Sequence, residues 1–221
     1  MKSETAEEKV KLGQRPDVFQ VPGMESFTTS LYAQDITRDL PPGSIVLTPA
    51  AEAVVAARNA IAPADKNGCL PFGMPRTILL SEVQKIVQTP GLTLILLELD
   101  SQWRQIYTDE RSLPKDPSPS WQGYSIGHWE KDTLVVETVG FNGRTILDAR
   151  HPISPGMKMT ERYTRLDVGH MEHQMTFEDP AFYNEPITAK VTHLLQPDAD
   201  ILEYVCAENE KDKGHMPTTR N

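Results

Sequence analysis

Residues 121–142, WQGYSIGHWEKDTLVVETVGFN, place β-prone residues on both sides of a short polar turn at Glu130-Lys131-Asp132. Valine, isoleucine, threonine and tryptophan favour strands, and a polar break between two such runs is typical of a hairpin. The stretch therefore predicts a β-hairpin or part of a meander, with aromatic residues at its ends that could border a pocket. It indicates a fold more directly than a reaction.

Working outward, strands are predicted at 125–129 and 133–138 within this stretch. Further strands are predicted at 83–88, 92–99, 103–108, 157–166, 170–178, 187–195 and 201–207. The run TLILLEL, 93–99, is apolar on both faces, which is typical of a central strand that is covered on each side. The pattern predicts a mainly β fold: a single antiparallel meander that closes into a barrel, lipocalin-like in outline, because closure removes aggregation-prone edges.

One helix is predicted at 49–62, where Thr48 suits the capping position and Pro49 the first helical position. Residues 1–45 are rich in charges, prolines and glycines and are expected to form an extended or partly disordered arm. The barrel domain is then 46–212, followed by a mobile tail at 213–221. The arm could complete the fold, stay loose or exchange with a neighbouring copy to give a homo-oligomer.

The formal net charge of −9 disfavours unaided binding to nucleic acid or anionic lipid, which requires clustered lysine and arginine. No apolar run approaches the roughly 20 residues that cross a bilayer, so membrane insertion is not expected. A small-molecule ligand or substrate is the expected partner.

Candidate catalytic residues lie in the predicted hairpin that joins 157–166 to 170–178. Alternation puts His170 and Glu172 side by side on one strand face, as a general base and its partner must be. The preceding strand adds Glu161 on one face and Arg162 on the other, so convergence across the hairpin is expected to build an acid/base site. The alternative is a solvated face with cross-strand charge pairs.

Candidate substrate-binding residues are mainly aromatic. Trp121, Tyr124 and Tyr183 lie in segments rich in proline, serine or aspartate and are predicted at a barrel mouth, where they could stack on a sugar ring or an apolar ligand. Tyr163 and His151 are added, the first as a strand tyrosine near the candidate acid/base pair and the second as a loop histidine.

Motifs for metal and cofactor binding are missing from the sequence. It has no HxH or HExxH pattern, no phosphate-binding GxxxxGK[ST] loop and no GxGxxG fingerprint. No metal site and no cofactor are therefore predicted. Cys69 and Cys206 are too far apart to form a CxxC motif, which leaves a disulfide, two buried thiols or a catalytic thiol as alternatives.

An ordered series of motifs over roughly 65–212 resembles a large group of mostly exported, β-rich bacterial proteins that have no established activity. The motifs are CLPFGMPR, PSWQGYSIGHWEKDTLVVET, ERYTRLDVGHMEH and EYVCAENEKD. The resemblance implies a periplasmic or secreted protein whose signal peptide has been removed, and it favours a Cys69–Cys206 disulfide because exported proteins meet an oxidising compartment. Where this chain has RHPIS at 150–154, the group often has GHPHS, so the HxH pair is lost.

Two hypotheses on function follow. In the first, the protein is a cofactor-independent acid/base enzyme (a lyase, hydratase, isomerase or hydrolase) acting on a small organic molecule in a barrel cavity. In the second, it is a non-catalytic binding or carrier protein for an apolar or sugar-like ligand. Whether the His170 face lines a cavity or meets solvent distinguishes them.

Overall fold

The barrel is formed by nine strands of the part of the chain that the computed structural model describes, residues 24–29, 40–60, 70–80, 82–148 and 150–205. The strands are β1 (Met24–Thr29), β2 (Val83–Thr89), β3 (Leu92–Leu97), β4 (Gln102–Tyr107), β5 (Tyr124–Glu130), β6 (Thr133–Val139), β9 (Lys158–Arg165), β10 (His170–Glu178) and β11 (Ile187–Leu195). Around the barrel they run in the order β1-β11-β10-β9-β6-β5-β4-β3-β2, and β2 pairs with β1 again. The predicted mainly β closed barrel is confirmed.

Neighbouring strands are antiparallel except for β4 and β5, which run parallel with Ile106 opposite Ser125. The long connection 108–123 returns the chain to the end of the barrel where β4 began, and this makes the parallel pair possible. Two further short strands, β7 (Ile146–Asp148) and β8 (His151–Pro152), pair with each other outside the barrel.

The barrel is closed by a strand that the sequence analysis assigned to the N-terminal arm. Residues 24–29 form β1, which pairs with β11 on one side and β2 on the other, and Phe27 is buried in the core. The six residues MESFTT alternate little and give a weak strand signal. Main-chain pairing on both sides stabilises the strand instead. Residues 24–29 are therefore part of the barrel.

The strand predicted at 201–207 is not formed over its described part, 201–205. The backbone there bonds to side chains instead: the Leu202 amide donates to Glu98, and the Tyr204 amide and carbonyl both bond to the Ser101 hydroxyl. Since β1 already occupies the place between β2 and β11, no free edge is left for this segment. Residues 206–221, with Cys206 and the predicted tail, lie outside the described residues, as do Cys69, 1–23 and 30–39.

The helix α1 (Pro49–Ala60) begins at the predicted cap. The Thr48 hydroxyl accepts a hydrogen bond from the Ala51 amide and donates one to the Ala181 carbonyl, which ties the start of the helix to the end of the barrel. No helix in the described part of the chain has the length and apolar composition needed to cross a bilayer.

Inside the barrel, the two ends differ. At the end beside α1, which we call the closed end, the interior is filled by buried apolar side chains, namely Met74, Ile78, Leu79, Phe141, Leu147 and Met157. At the other end, which we call the mouth, the turns β2–β3, β5–β6 and β9–β10 surround an opening.

Gly123 lies at the start of β5 with φ +68°, and an added Cβ would lie 2.7 Å from Cγ2 of Thr138 and 2.9 Å from the Val139 carbonyl oxygen. Gly123→Ala should lower the free energy of unfolding by about 2–4 kcal/mol, because alanine is strained in the left-handed region and its Cβ would overpack the site. Gly43→Ala is the matched control, because Gly43 has φ +76° but nothing within 4 Å of its added Cβ. Urea unfolding of both variants checks this, and equal losses would contradict the packing argument.

Candidate functional site

A fully buried ion pair crosses the middle of the barrel. Arg104 of β4 and Glu161 of β9 are 1% and 0% exposed, and both terminal nitrogens of Arg104 donate to the carboxylate, Nη1 at 2.9 Å from Oε1. The remaining donors of Arg104 reach the hydroxyls of Ser125 and Thr138, which also bond to each other at 2.9 Å. This two-pronged contact gives each charge several polar partners away from water.

Two histidines extend the ion pair into a chain of hydrogen bonds. Nε2 of His173 lies 3.1 Å from Oε1 of Glu161, Nδ1 of His173 lies 3.0 Å from Nε2 of His193, and Nδ1 of His193 lies 3.0 Å from Nε2 of Gln84. An ionised carboxylate only accepts hydrogen bonds, so His173 donates to Glu161. His193 then donates to His173, and Gln84 donates to His193. Both rings are then neutral and protonated at Nε2.

Tyr163 connects this chain to the mouth. Its hydroxyl donates to Oε1 of Glu161 at 2.9 Å, and its ring stacks on His173 with centroids 4.0 Å apart. The tyrosine therefore covers the glutamate and the histidine on the side of the mouth. We call the set Gln84, Arg104, Ser125, Thr138, Glu161, Tyr163, His173 and His193 the polar layer.

The charges in the polar layer follow from burial and pairing. Burial alone would raise the pKa of Glu161, but the charge of Arg104 and the hydrogen bond from His173 outweigh it and hold that pKa well below its ordinary value. Burial lowers the pKa of His173. Burial also lowers the pKa of His193, and the neighbouring His173 lowers it further. Burial and Glu161 raise the pKa of Tyr163. Around neutral pH, the layer thus holds one carboxylate, one guanidinium, two neutral imidazoles and one protonated phenol.

A cavity of about 150 Å³ lies between the mouth and the polar layer. Its apolar lining consists of Phe27, Ile86, Ile95, Ile106, Leu134 and Met171. Tyr163 is part of the wall, and the more polar residues Gln88, Thr93 and Asp132 contribute to it. An apolar cavity of this size suits a molecule about as large as benzene.

The rim of the cavity is held by Arg165. Its Nε donates to the Asp167 carbonyl at 2.7 Å, its Nη2 donates to the Val168 carbonyl, and its guanidinium lies 5.2 Å from the centroid of the Phe27 ring. Trp129, 54% exposed, forms another part of the rim. The turn β9–β10 is thus fixed beside the opening.

The predicted acid/base residues do not come together. His170 faces solvent and bonds to Asp167 at 2.8 Å, Glu172 faces solvent and bonds to Lys190 at 3.2 Å, and Arg162 pairs with Glu130 on the outer surface. Glu161, in contrast, points into the barrel. The register explains the separation: Glu172 lies opposite Thr164 and Gln174 opposite Arg162, so the face with His170 and Glu172 continues onto Arg162 and not onto Glu161.

The sequence of β10 contains a signal for its inward histidine. His173 alternates with Met171, Met175 and Phe177, and an apolar set marks the inner face of a strand, so the histidine among them is also inward. The same reasoning applies to Arg104, two residues before the buried Ile106.

Most of the predicted binding aromatics lie away from the mouth. Trp121 is half-buried near the closed end, where its carbonyl accepts from the Met74 amide, and the ring of Tyr124 stacks on Tyr107 at 5.3 Å on the outer surface. Tyr183 is buried at the closed end, with its hydroxyl on the Pro152 carbonyl. Of these predicted aromatics, Tyr163 lines the cavity.

His151 is buried beside the closed end rather than free on a loop. Its Nδ1 lies 2.7 and 2.8 Å from the two carboxylate oxygens of Asp148. Burial would raise the pKa of Asp148, but the hydrogen bonds from His151 and from the Arg150 amide lower it below its ordinary value. Within the described ranges, no group of three or more His, Cys, Asp or Glu residues is arranged to hold a metal ion.

No protein-family model, curated protein or solved structure matches this chain. The interpretation of the site therefore depends on its geometry and chemistry.

The neutral histidines make stability depend on pH. As pH falls through 6.5, the ordinary histidine value, the unfolded chain binds protons that buried His173 and His193 do not, so the free energy of unfolding falls. The slope should approach about 1.4 kcal/mol per pH unit for each histidine. Below about 4.5, Glu161 adds a loss of the same sign, since its folded pKa is also lowered.

Urea unfolding between pH 8 and pH 5 measures this dependence. His173→Gln should make the dependence shallower, and His170→Gln, which removes an exposed histidine outside the barrel interior, is the control. A wild-type curve that is flat between pH 7 and pH 5 would contradict neutral burial of the two rings.

Proposed function

We propose that the protein binds a small, mainly apolar molecule in the cavity at the barrel mouth. The observation that carries the proposal is the apolar lining of a cavity that opens between the turns yet ends at Tyr163. Burying an apolar ligand against such walls contributes about 25 cal/mol per Å² of surface removed from water. The size of the cavity restricts the ligand to one ring or a short chain.

The polar layer supports binding more than chemistry. The Glu161 carboxylate accepts hydrogen bonds from Arg104, Tyr163 and His173, and His173 is covered by the ring of Tyr163. A general base must reach the proton that it abstracts. These groups contact each other instead, so the carrier or binding hypothesis is the better supported of the two. A periplasmic or secreted location remains a prediction of the sequence resemblance.

Benzene is the probe for the binding proposal. Saturable shifts of the methyl signals of Ile95, Ile106 and Met171 in NMR spectra are expected as benzene is added. Ile86→Trp should weaken binding at least about tenfold, because Ile86 is a half-buried wall residue whose enlargement fills the cavity. Leu194→Trp is the control, since Leu194 lies on the outer face of β11 and is 36% exposed. Non-saturable shifts, or equal effects of the two variants, would refute the proposal.

The second candidate, an acid/base enzyme, is favoured by one observation. Among the described residues, Tyr163 is the side chain that both lines the cavity and bonds to Glu161. Because its pKa is raised, it stays protonated; a carbonyl oxygen that replaced Glu161 as the acceptor of its O–H would receive that hydrogen bond, which makes the neighbouring C–H groups more acidic. Asp132 lines the same cavity and would accept the proton.

Cyclopentanone in deuterium oxide tests this candidate. Protein-dependent deuterium uptake next to the carbonyl is expected, with a loss of about 10²-fold in Tyr163→Phe, which keeps the ring and removes the donor. Uptake no faster than in buffer, with cyclopentanone shown to bind, would rule out this chemistry and leave the binding proposal intact.

A further inference from the structure

A second, larger depression lies at the closed end, on the outside of the barrel. Its volume is about 700 Å³, within the range of small-molecule sites and well above that of the mouth cavity. One wall is α1 and another is the segment that contains Trp121; the 3-10 helix Arg76–Leu79 and the β7–β8 pair complete it. We call it the arginine groove, because Arg58, Arg76 and Arg144 all line it.

The charge of the groove is opposite to that of the protein. The chain carries 31 acidic and 22 basic residues, yet no aspartate or glutamate of the described chain is part of the lining. Three guanidinium groups in one concave surface attract anions and hold carboxylates in a two-pronged contact.

Two of these arginines have no acidic partner in the described part of the chain. Arg58 is half-buried on α1, and its pKa is lowered by burial with no carboxylate acting against it. Arg144 lies with its guanidinium 5.2 Å from the centroid of the Trp121 ring. Arg76 differs, because Asp148 and Glu82 partly offset the effect of its burial. A bound anion would give Arg58 and Arg144 the partner that the described residues do not supply.

Apart from Asn59 and Thr145, the other side chains that line the groove are apolar, and two of them are aromatic rings. Val54 and Val55 face it from α1, and Phe72, Trp121 and Ile146 face it from the other walls. Aromatic rings in the wall favour an aromatic or other planar ligand, since aromatic rings pack well in offset-stacked arrangements.

We propose that the arginine groove is a binding site for a planar organic anion, with its carboxylate on Arg58 and Arg144 and its ring against Phe72 and Trp121. The site lies at the opposite end of the β5–β6 hairpin from the mouth, because Trp121 precedes β5 whereas Trp129 and Asp132 border the mouth cavity. It therefore does not depend on the function proposed for the mouth.

Isothermal titration with 2-naphthoate, and with 2-naphthamide as the uncharged ligand of the same shape, tests the proposal. Naphthoate should bind at least about tenfold more tightly than naphthamide, which is the size of effect that a charged hydrogen-bonded contact gives. Arg58→Gln and Arg144→Gln should each remove most of that difference, and Arg58→Lys should retain part of it. Arg162→Gln, an exposed arginine on the outside of β9, should change nothing.

Several results would overturn the proposal: no binding of naphthoate, equal binding of acid and amide, or affinity that is the same in Arg58→Gln as in the wild type. Loss of naphthoate binding in Ile86→Trp would place the ligand in the mouth and would also refute the groove. Thermal unfolding of each variant confirms that it is folded before it is titrated.

Discussion

The ion pair between Arg104 and Glu161 is the interaction on which the interior of the barrel depends. Each charge would lose several kcal/mol of hydration on burial, and removing one partner of such a pair costs about 3–5 kcal/mol because the other is left unpaired. The two residues lie on β4 and β9, which are separated in the sheet by β5 and β6, so the contact crosses the interior. The remaining hydrogen bonds of the pair come from hydroxyls and an imidazole on other strands and from the phenol of Tyr163, two residues from Glu161 on β9.

The polar layer draws on seven of the nine barrel strands. Its members lie on β2, β4, β5, β6, β9, β10 and β11. A shift of any of these strands by one residue would turn its member outward and leave a polar group of the interior unpaired. The layer thus selects one register for most of the barrel, which apolar side chains of similar size would select less strictly.

The layer also determines what the mouth can accept. On β4, Ile106 lies nearer the mouth than Arg104, and on β9, Tyr163 lies nearer the mouth than Glu161, so the cavity ends where the polar side chains begin. A longer apolar ligand would have to displace hydrogen-bonded groups, with a cost of about 1–3 kcal/mol for each group left unsatisfied. The mouth cavity is therefore small because the polar layer closes it, and not because the barrel lacks interior space.

The sequence predicted the strands better than the site. The bounds of β10 and β11 agree with the prediction because both strands alternate over nine residues, whereas β1 has too few apolar positions to be recognised. The face on which each residue lies was also predictable. What could not be predicted is which strands face each other across the barrel interior. That arrangement places Arg104 against Glu161, 57 positions away in the chain. The spacing of His170 and Glu172, two residues apart, puts them side by side on one strand face, but it does not distinguish the inner face from the outer one.

Different polar contacts hold the two ends of the barrel together, and they affect what each end can bind. The walls of the arginine groove are joined by hydrogen bonds: the Met74 amide donates to Trp121, Thr145 donates to the Phe72 carbonyl, and Tyr183 donates to Pro152. A site whose walls are already fixed loses little conformational entropy on binding, so weak individual contacts are enough for measurable affinity. At the mouth, the polar layer gives the walls of the cavity the same rigidity from the interior of the barrel. Each end thus owes its shape to polar contacts, although one presents apolar surface to a ligand and the other presents positive charge.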